Sequence, residues 1–273
     1  AKRALKAQKR SMQKSVVVIP TLNEASNLPV LAAELWALQI PGLFLLVVDG
    51  DSSDGTGQIA DELAERRPAE LAALHLSSRG GLRRAYLAGF KWALTHDADR
   101  IIQIDCDFSY PPKYLPQLIE ASREADLVVG SRFVVGGKLD ARIGTVGYLQ
   151  SWWANEVYAR LILNLKLKDA TSSLRCWQAK ALSQIDLDAI SSNGYSFQIE
   201  MAYVAEKLGC KIVEVPIHYE ERRVGRSKLN LSDKFEAAWR TWEILWRYRK
   251  YPGALAASAT PKASHQRNQP PDD

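Results

Sequence analysis

The residues best suited to chemistry lie in Ile101-Ile102-Gln103-Ile104-Asp105-Cys106-Asp107, a short apolar run that ends in two carboxylates. Such a run, bounded by polar residues, predicts a buried strand of a parallel sheet. In an extended backbone the i, i+2 spacing sets both side chains on one face. Two like charges that close repel unless a cation lies between or beside them. A hard divalent ion such as Mg2+ or Mn2+ suits oxygen ligands and keeps positions open for substrate phosphates. The alternative needs no metal: Asp105 closes a strand and Asp107 caps the next turn. More charged groups stand at other strand ends. Asp49-Gly50-Asp51-Ser52-Ser53-Asp54-Gly55-Thr56 follows the run Leu43 to Asp49, and Ser131-Arg132 closes the run Asp126 to Gly130.

These groups need a scaffold, and the pattern supplies one. Ser15 to Pro20 is a β-branched run that predicts the first buried strand, with a turn at Pro20 because proline cannot continue a central ladder. Asn27 is placed to cap a helix through Leu38 whose leucines (Leu28, Leu31, Leu35, Leu38) follow helical spacing. A helix over about Gln58 to Arg67, a strand over Leu71 to Leu76, a Gly80-Gly81 break and a helix over about Leu82 to Thr95 come next. After the central strand, Pro111-Pro112 precedes a helix to about Glu124. This alternation predicts an α/β fold, a Rossmann-like and mostly parallel sheet flanked by helices, joined by right-handed crossovers. Ligands bind at the carboxyl ends of such strands. Pro20, Asp49, Asp105 and Arg132 would then meet along one edge.

Beyond Arg132 the pattern loosens. A Gly136-Gly137-Lys138 loop, a helix over Gln150 to Leu165, a polar turn over Asp169 to Arg175, a helix over Tyr195 to Leu208 and a strand over Lys211 to Ile217 are expected. Arg222 to Lys228 is rich in cations. Phe235, Trp239, Trp242 and Trp246 step by 4, 3 and 4, one stripe of a helix with arginines beside it. The chain divides into a basic arm (1–14), a main domain (15–229), an amphipathic aromatic and basic helix (230–251) and a disordered tail (252–273).

The 273 residues carry 47% hydrophobic content and a net charge of +5, enough for a packed core and a mild preference for anionic partners. Three separated cysteines and four histidines without metal-ligand spacing disfavour zinc and disulfide frameworks and fit a reducing compartment. The start has no apolar run, so no signal peptide is expected, and no uninterrupted apolar stretch would span a bilayer. Dinucleotide, P-loop and nucleophile-elbow glycine motifs are missing. Acidic groups gathered at the sheet edge argue against a nucleic-acid partner. What remains is carboxylates facing arginines, which suits a nucleotide diphosphate held through a metal.

In their order, Ile19-Pro20-Thr21-Leu22-Asn23-Glu24, Val47 to Thr56, Asp105 to Pro112 and Gly130-Ser131-Arg132-Phe133 resemble glycosyltransferase family 2. Asp169 to Arg175, Gly194 to Glu200 and Arg222 to Leu229 are similar to the polyprenyl-phosphate sugar synthases within it. The resemblance covers roughly Val16 to Leu229 and implies a GT-A type fold with a C-terminal helical extension. It implies that Pro20, Asn23 and Glu24 line the nucleotide pocket and that Asp49, with Asp51 beside it, lies near base and ribose. Asp105 and Asp107 would handle metal and sugar diphosphate, with Asp107 ligating directly. Arg132, Arg222, Ser227 and Lys228 would handle the donor diphosphate or the lipid phosphate. Ser172, Arg175, Gln198 and the neighbouring Glu200 would fall on the acceptor side. Asp51 and Asp54 also read as simple turn residues, and Asp169 and Arg175 as a pair that braces itself.

The implied reaction is inverting transfer of a sugar, with GDP-mannose the expected donor, to a polyprenyl or dolichyl phosphate. Gly50 after Asp49, and Arg83-Arg84 where the family carries Gly-Leu-Gly, keep a UDP-sugar donor such as UDP-glucose as the alternative; a non-catalytic scaffold subunit is a further one. A lipid acceptor implies a cytoplasmic protein peripheral at the cytoplasmic face of a membrane. Its aromatic stripe would lie on the membrane surface or on a membrane-embedded partner subunit.

Overall fold

The structure, a computed structural model, describes residues 13–140, 160–220 and 231–249, with side chains in the last segment from Trp239 onward. Along the chain run β1 (Ser15–Thr21), α1 (Leu28–Ala37), β2 (Leu43–Asp49), α2 (Thr56–Arg66), β3 (Leu71–His75), α3 (Gly81–Thr95), β4 (Arg100–Gln103), α4 (Leu115–Ala121), β5 (Leu127–Ser131) and β6 (Lys138–Leu139). There follow α5 (Arg160–Leu163), β7 (Arg175–Gln178), α6 (Ala179–Leu182), α7 (Gly194–Lys207), β8 (Ile212–Pro216), β9 (His218–Tyr219) and α8 (Leu231–Arg247). A seven-stranded sheet has the order β3-β2-β1-β4-β7-β5-β8, and β6 pairs with β9 in a small second sheet. All neighbours in the large sheet are parallel except β7, which runs antiparallel to both β4 and β5.

Strand periodicity divides the core. Val16 and Val18 join Leu46, Val48, Tyr86, Phe90, Ile101, Trp177 and Phe197 on one face of the sheet. Val17 and Ile19 join Leu28, Leu31, Leu35, Leu45, Val47, Ile102 and Cys176 on the other. Helices α1, α2 and α4 cover the second face, while α3 and α7 cover the first. Gly89 lets α3 lie close: a Cβ there would come 2.3 Å from Val18 Cγ1.

Several expected boundaries move, and one move matters for chemistry. β4 ends at Gln103, so Asp105 and Asp107 do not share the face of a strand; they lie in the turn that follows. The pair is brought to one place by that turn, with Phe108 in the left-handed region at φ 62. Pro20 does lie within β1, opposite Val48, because the β1–β4 ladder already stops at Val18 and Gln103. Its missing N–H therefore removes nothing on that side. Asn27 occupies the N-cap of α1 but makes no side-chain cap, donating instead to Glu24 Oε2 at 2.7 Å. The polar turn ends one residue early, since Arg175 begins β7. Most of the helix expected over Gln150 to Leu165 lies outside the described residues.

Candidate active site

A cleft of about 260 Å³ opens at the carboxyl ends of β1, β2 and β4. Pro20, Thr21, Leu22, Glu24 and Gly50 line one side, the turn Asp105-Cys106-Asp107 lines the floor, and Arg79, Gly80, Gly81, Leu82 and Ala85 line the other. Of the four residues expected to meet along one edge, Pro20 and Asp105 line the cleft and Asp49 and Arg132 do not; Glu24 and Asp107 line it as well. Asn23, Asp49 and Asp51 do not line the cleft, and each has a different place.

The acidic loop after β2 is a hydrogen-bonded knot. Asp49 is buried, and its Oδ1 accepts from Ser52 Oγ at 2.6 Å and from Thr21 Oγ1 at 3.3 Å, while Oδ2 accepts from Ser52 N at 3.1 Å. Asn23, at φ 59, accepts from Ser53 N at 2.9 Å through Oδ1. Asp54 accepts from Ala25 N and Thr56 N, both at 3.1 Å, and from Thr56 Oγ1 at 2.5 Å. Partial burial pushes the Asp54 pKa up, but these hydrogen bonds outweigh it and leave the carboxyl below its ordinary 3.8. Thr56 Oγ1 in turn lies 2.8 Å from Glu24 N. Asp49 and Asp54 thus fix the backbone of the Asn23–Glu24 segment and are not among the residues that line the cleft. Asp51 is exposed and left-handed at φ 69, a turn residue in position.

On the floor, both oxygens of Asp105 are engaged by hydroxyls. Tyr86 Oη donates to Oδ1 at 2.8 Å, and Ser173 Oγ bonds Oδ2. Burial, reinforced by Asp105, holds the Tyr86 phenol well above its usual range, so it stays a protonated donor. Asp107 is buried to 8% exposure and accepts from Ser109 N at 3.0 Å, closing its turn. Cys106 lies between them with its thiol pushed far up by burial and by Glu24, Asp107 and Asp105, so it is a neutral space-filler and not a nucleophile. No group of three His, Cys, Asp or Glu side chains forms a metal site among the described residues. The donor set that is present, two carboxylates on the floor of a cleft, fits a hard divalent cation that takes its remaining ligands from phosphate oxygens and water.

Of the cations expected at the phosphates, the described ones are engaged within the protein. Arg132 is held by Asp169: its Nε donates to Asp169 Oδ2 at 2.7 Å, and its Nη2 to Oδ1 at 2.5 Å and to Thr171 Oγ1 at 2.6 Å. The pair is buried, with side-chain exposures of 6% and 0%. Burial would lower the Arg132 pKa, but Asp169 outweighs it and holds the pKa above its ordinary value. Arg132, not Arg175, is therefore the partner of Asp169.

Arg175 is wholly buried, donates to the carbonyls of Ser172 and Ala170 at 2.8 and 2.7 Å, and has its pKa lowered to about 10 by burial. Its Nη1 has no partner among the described residues. Ser172 is equally buried, its N–H donating to Asp169 Oδ1. Gln198 lies inside α7, 1% exposed, its Oε1 3.4 Å from Gln103 Nε2. Glu200 is fully buried two residues further along; Oε2 accepts from Ser192 N at 2.7 Å and Oε1 from Tyr248 Oη at 2.9 Å. These residues are packed in the core behind the cleft. Arg222, Ser227 and Lys228 lie outside the described residues.

Sequence reasoning missed Tyr86, Ser173 and Arg79. Tyr86 reads as one more apolar residue of an amphipathic helix, Ser173 as part of a polar turn. Only the Gly80-Gly81 break beside Arg79 marked that loop in advance.

The family model described as glycosyl transferase family 2 matches residues 16–183, more than half of the chain. An undecaprenyl-phosphate mannosyltransferase from Micrococcus luteus is 44% identical over 79% of this chain and 87% of its own length. A polyprenol monophosphomannose synthase from Mycolicibacterium smegmatis is 37% identical over 90% of this chain and 93% of its own. Among solved structures, glucosyl-3-phosphoglycerate synthase from Mycobacterium tuberculosis, in complex with Mn2+, UDP and glucosyl-3-phosphoglycerate, superposes with a TM-score of 0.61. That match has 19% identity and covers 91% of this chain and 84% of the other, a likeness of fold. The expected GT-A arrangement is thus observed, and with the cleft at the strand ends and the matching family model the chain belongs to glycosyl transferase family 2.

Proposed function

We propose that the protein transfers mannose from GDP-mannose to a polyprenyl phosphate with inversion at the anomeric carbon. The observation that carries this reading is the Asp105–Asp107 turn on the floor of a cleft walled by Pro20 and Glu24, in a chain 44% identical to an undecaprenyl-phosphate mannosyltransferase. An acceptor phosphate oxygen forms the new bond to the anomeric carbon while the bond to the nucleoside diphosphate breaks, and the diphosphate departs with the electron pair. The acceptor is already ionised at neutral pH, so no general base is needed and none is assigned. Rate then comes from positioning and from stabilising the leaving diphosphate.

Pro20 and Glu24 line the nucleotide end, and Asp107 faces the donor diphosphate, with Asp105 held in place by Tyr86 and Ser173. A Mg2+ or Mn2+ ion on Asp107 and Asp105 would neutralise the diphosphate as a Lewis acid. The Mn2+ in the complex of the structurally similar synthase supports that assignment.

Residues 15–229 act as the catalytic domain and α8 as a membrane-facing helix. No helix among the described residues is long and apolar enough to cross a membrane. Trp239, Trp242 and Trp246 are 72%, 53% and 66% exposed, whereas Thr241, Ile244 and Tyr248 on the opposite face are buried. Indoles beside arginines suit the bilayer interface, where a lipid acceptor is met, and support a protein peripheral at the cytoplasmic face.

The test is a transfer assay with undecaprenyl phosphate and either labelled GDP-mannose or labelled UDP-glucose, with and without Mn2+. Lipid-linked mannose from GDP-mannose alone supports the reading. Product from UDP-glucose alone replaces the donor, and no product from either overturns the reading.

A further inference from the structure

We infer that Arg79 is a donor-binding residue of the cleft, its guanidinium holding the diphosphate of the nucleotide sugar and the charge that the diphosphate gains as it leaves. This rests on the transferase reading above and adds to it a cation that the motifs do not mark.

The first support is charge. Glu24, Asp105 and Asp107 all line the cleft, and Arg79 is the one cation among its described lining residues. A diphosphate bound with one divalent cation on Asp105 and Asp107 still carries excess negative charge beside Glu24, so a positive group on the facing wall has a large effect in so confined a site. A guanidinium also presents parallel N–H donors that match two phosphate oxygens at once.

The second support is that the other described arginines near the cleft are already engaged, while Arg222 and Lys228 lie outside the described residues. Arg132 is held by Asp169, and Arg175 by the carbonyls of Ser172 and Ala170. Arg83 donates to Asn193 Oδ1 at 2.9 Å and to the Ile190 carbonyl at 3.0 Å, away from the cleft. Arg84 donates to the Ser78 carbonyl at 3.0 Å and to Ser78 Oγ at 2.5 Å. Arg79 is exposed, and among the described residues no hydrogen bond or ion pair engages its side chain.

The third support is the way its loop is held. Arg84 ties down Ser78 on one side of Arg79. On the other side Gly80 leaves room for the Arg84 stem, where a Cβ would lie 2.2 Å from Arg84 Cδ and that side chain would have to shift, and Gly81 takes φ +71. The two cations that depart from the Gly-Leu-Gly pattern thereby gain a use: Arg84 fixes the loop that carries Arg79, and Arg83 anchors the start of α3 to the Ile190–Asn193 loop. A loop already held in place loses less backbone freedom when its side chain binds.

The experiment is calorimetric titration of the full chain with GDP, UDP, guanosine and uridine in the presence of Mn2+, for the wild type, Arg79→Gln and Arg79→Lys. Kinetics with undecaprenyl phosphate are measured in parallel. Arg79→Gln should weaken the preferred nucleoside diphosphate by roughly 10- to 100-fold, the range for one charge-assisted contact, and leave the matching nucleoside unchanged. Arg79→Lys should recover part of the loss. Because Arg79 is exposed, its variants keep the wild-type fold, which circular dichroism checks. A wild type that binds the diphosphate while Arg79→Gln binds it equally well overturns the inference and leaves the transferase reading standing. A variant that raises only the KM for the lipid phosphate overturns it too, by assigning the contact to the acceptor. A wild type that binds neither diphosphate overturns both.

Discussion

The Tyr86 hydroxyl, in α3, donates across 2.8 Å to Oδ1 of Asp105, in the turn after β4. With Ser173 on the other oxygen, it fixes the carboxylate plane of a residue that no longer has a strand to hold it. Tyr86 is itself clamped between stacked rings, 5.8 Å from Phe90 and 6.0 Å from Phe197 between centroids.

Tyr86→Phe keeps those rings and removes only the hydroxyl. Loss of one buried hydrogen bond should cost about 1 kcal/mol of stability. The larger expected effect is on the site: Mn2+-dependent nucleoside diphosphate binding weakens several-fold, and metal-free binding does not change. A denaturant midpoint and a pair of titrations separate the two. Equal loss with and without metal would mean that Tyr86 serves only the core.

Asp169→Asn leaves the Arg132 guanidinium buried against a neutral amide. Breaking a buried pair by removing one partner costs about 3–5 kcal/mol, because the remaining charge has no compensation. Urea unfolding checks this. A change below about 1 kcal/mol would show that solvent reaches the pair and that Arg132 is available to a ligand after all.

Asp54 gives a pH signature. Its folded pKa is lower than its ordinary 3.8, so folding favours the ionised form. Its contribution is fully present above the ordinary value and is lost as pH falls through the lower folded one. Asp54→Ala should therefore destabilise the protein at pH 7 and by less at pH 3, measured as the gap between the urea midpoints of variant and wild type. A gap that widens on acidification would contradict the hydrogen-bonding account.

The exposed indoles make a separable prediction. Replacing Trp239, Trp242 and Trp246 with serine should weaken binding to anionic vesicles by roughly tenfold per indole, about 1.5 kcal/mol of lost apolar burial each. Nucleotide affinity should stay as it was. Unchanged sedimentation with vesicles would leave that face to a protein partner.

The β-α alternation, the strand-end position of the cleft and the exposed tryptophan face were all legible in the sequence, because each follows from a local period or a local turn. The partner of a charge is not local. Arg132 and Asp169 are 37 positions apart and β5 must be built before they meet, so the strand-end position of Arg132 suggested a ligand where the fold supplies a carboxylate. Arg175 looked like the tail of a polar turn until the antiparallel β7 drew it into the sheet. The helix over Tyr195 to Leu208 was legible, but Gln198 and Glu200 on it were set on the acceptor side, since their polarity conceals that α7 is buried along almost its whole length. Asp105 and Asp107 were correctly paired for an incorrect reason: a tight turn, not strand pleating, brings them together.

Glu200 carries a further consequence. One of its oxygens holds the Ser191–Ser192 backbone and the other holds Tyr248, at the end of the helix that bears the indoles. That helix is therefore bolted to α7 rather than hinged on it. On the membrane-bound arrangement proposed above, that contact would set the height and tilt of the cleft over the bilayer, and with them the reach required of an acceptor phosphate.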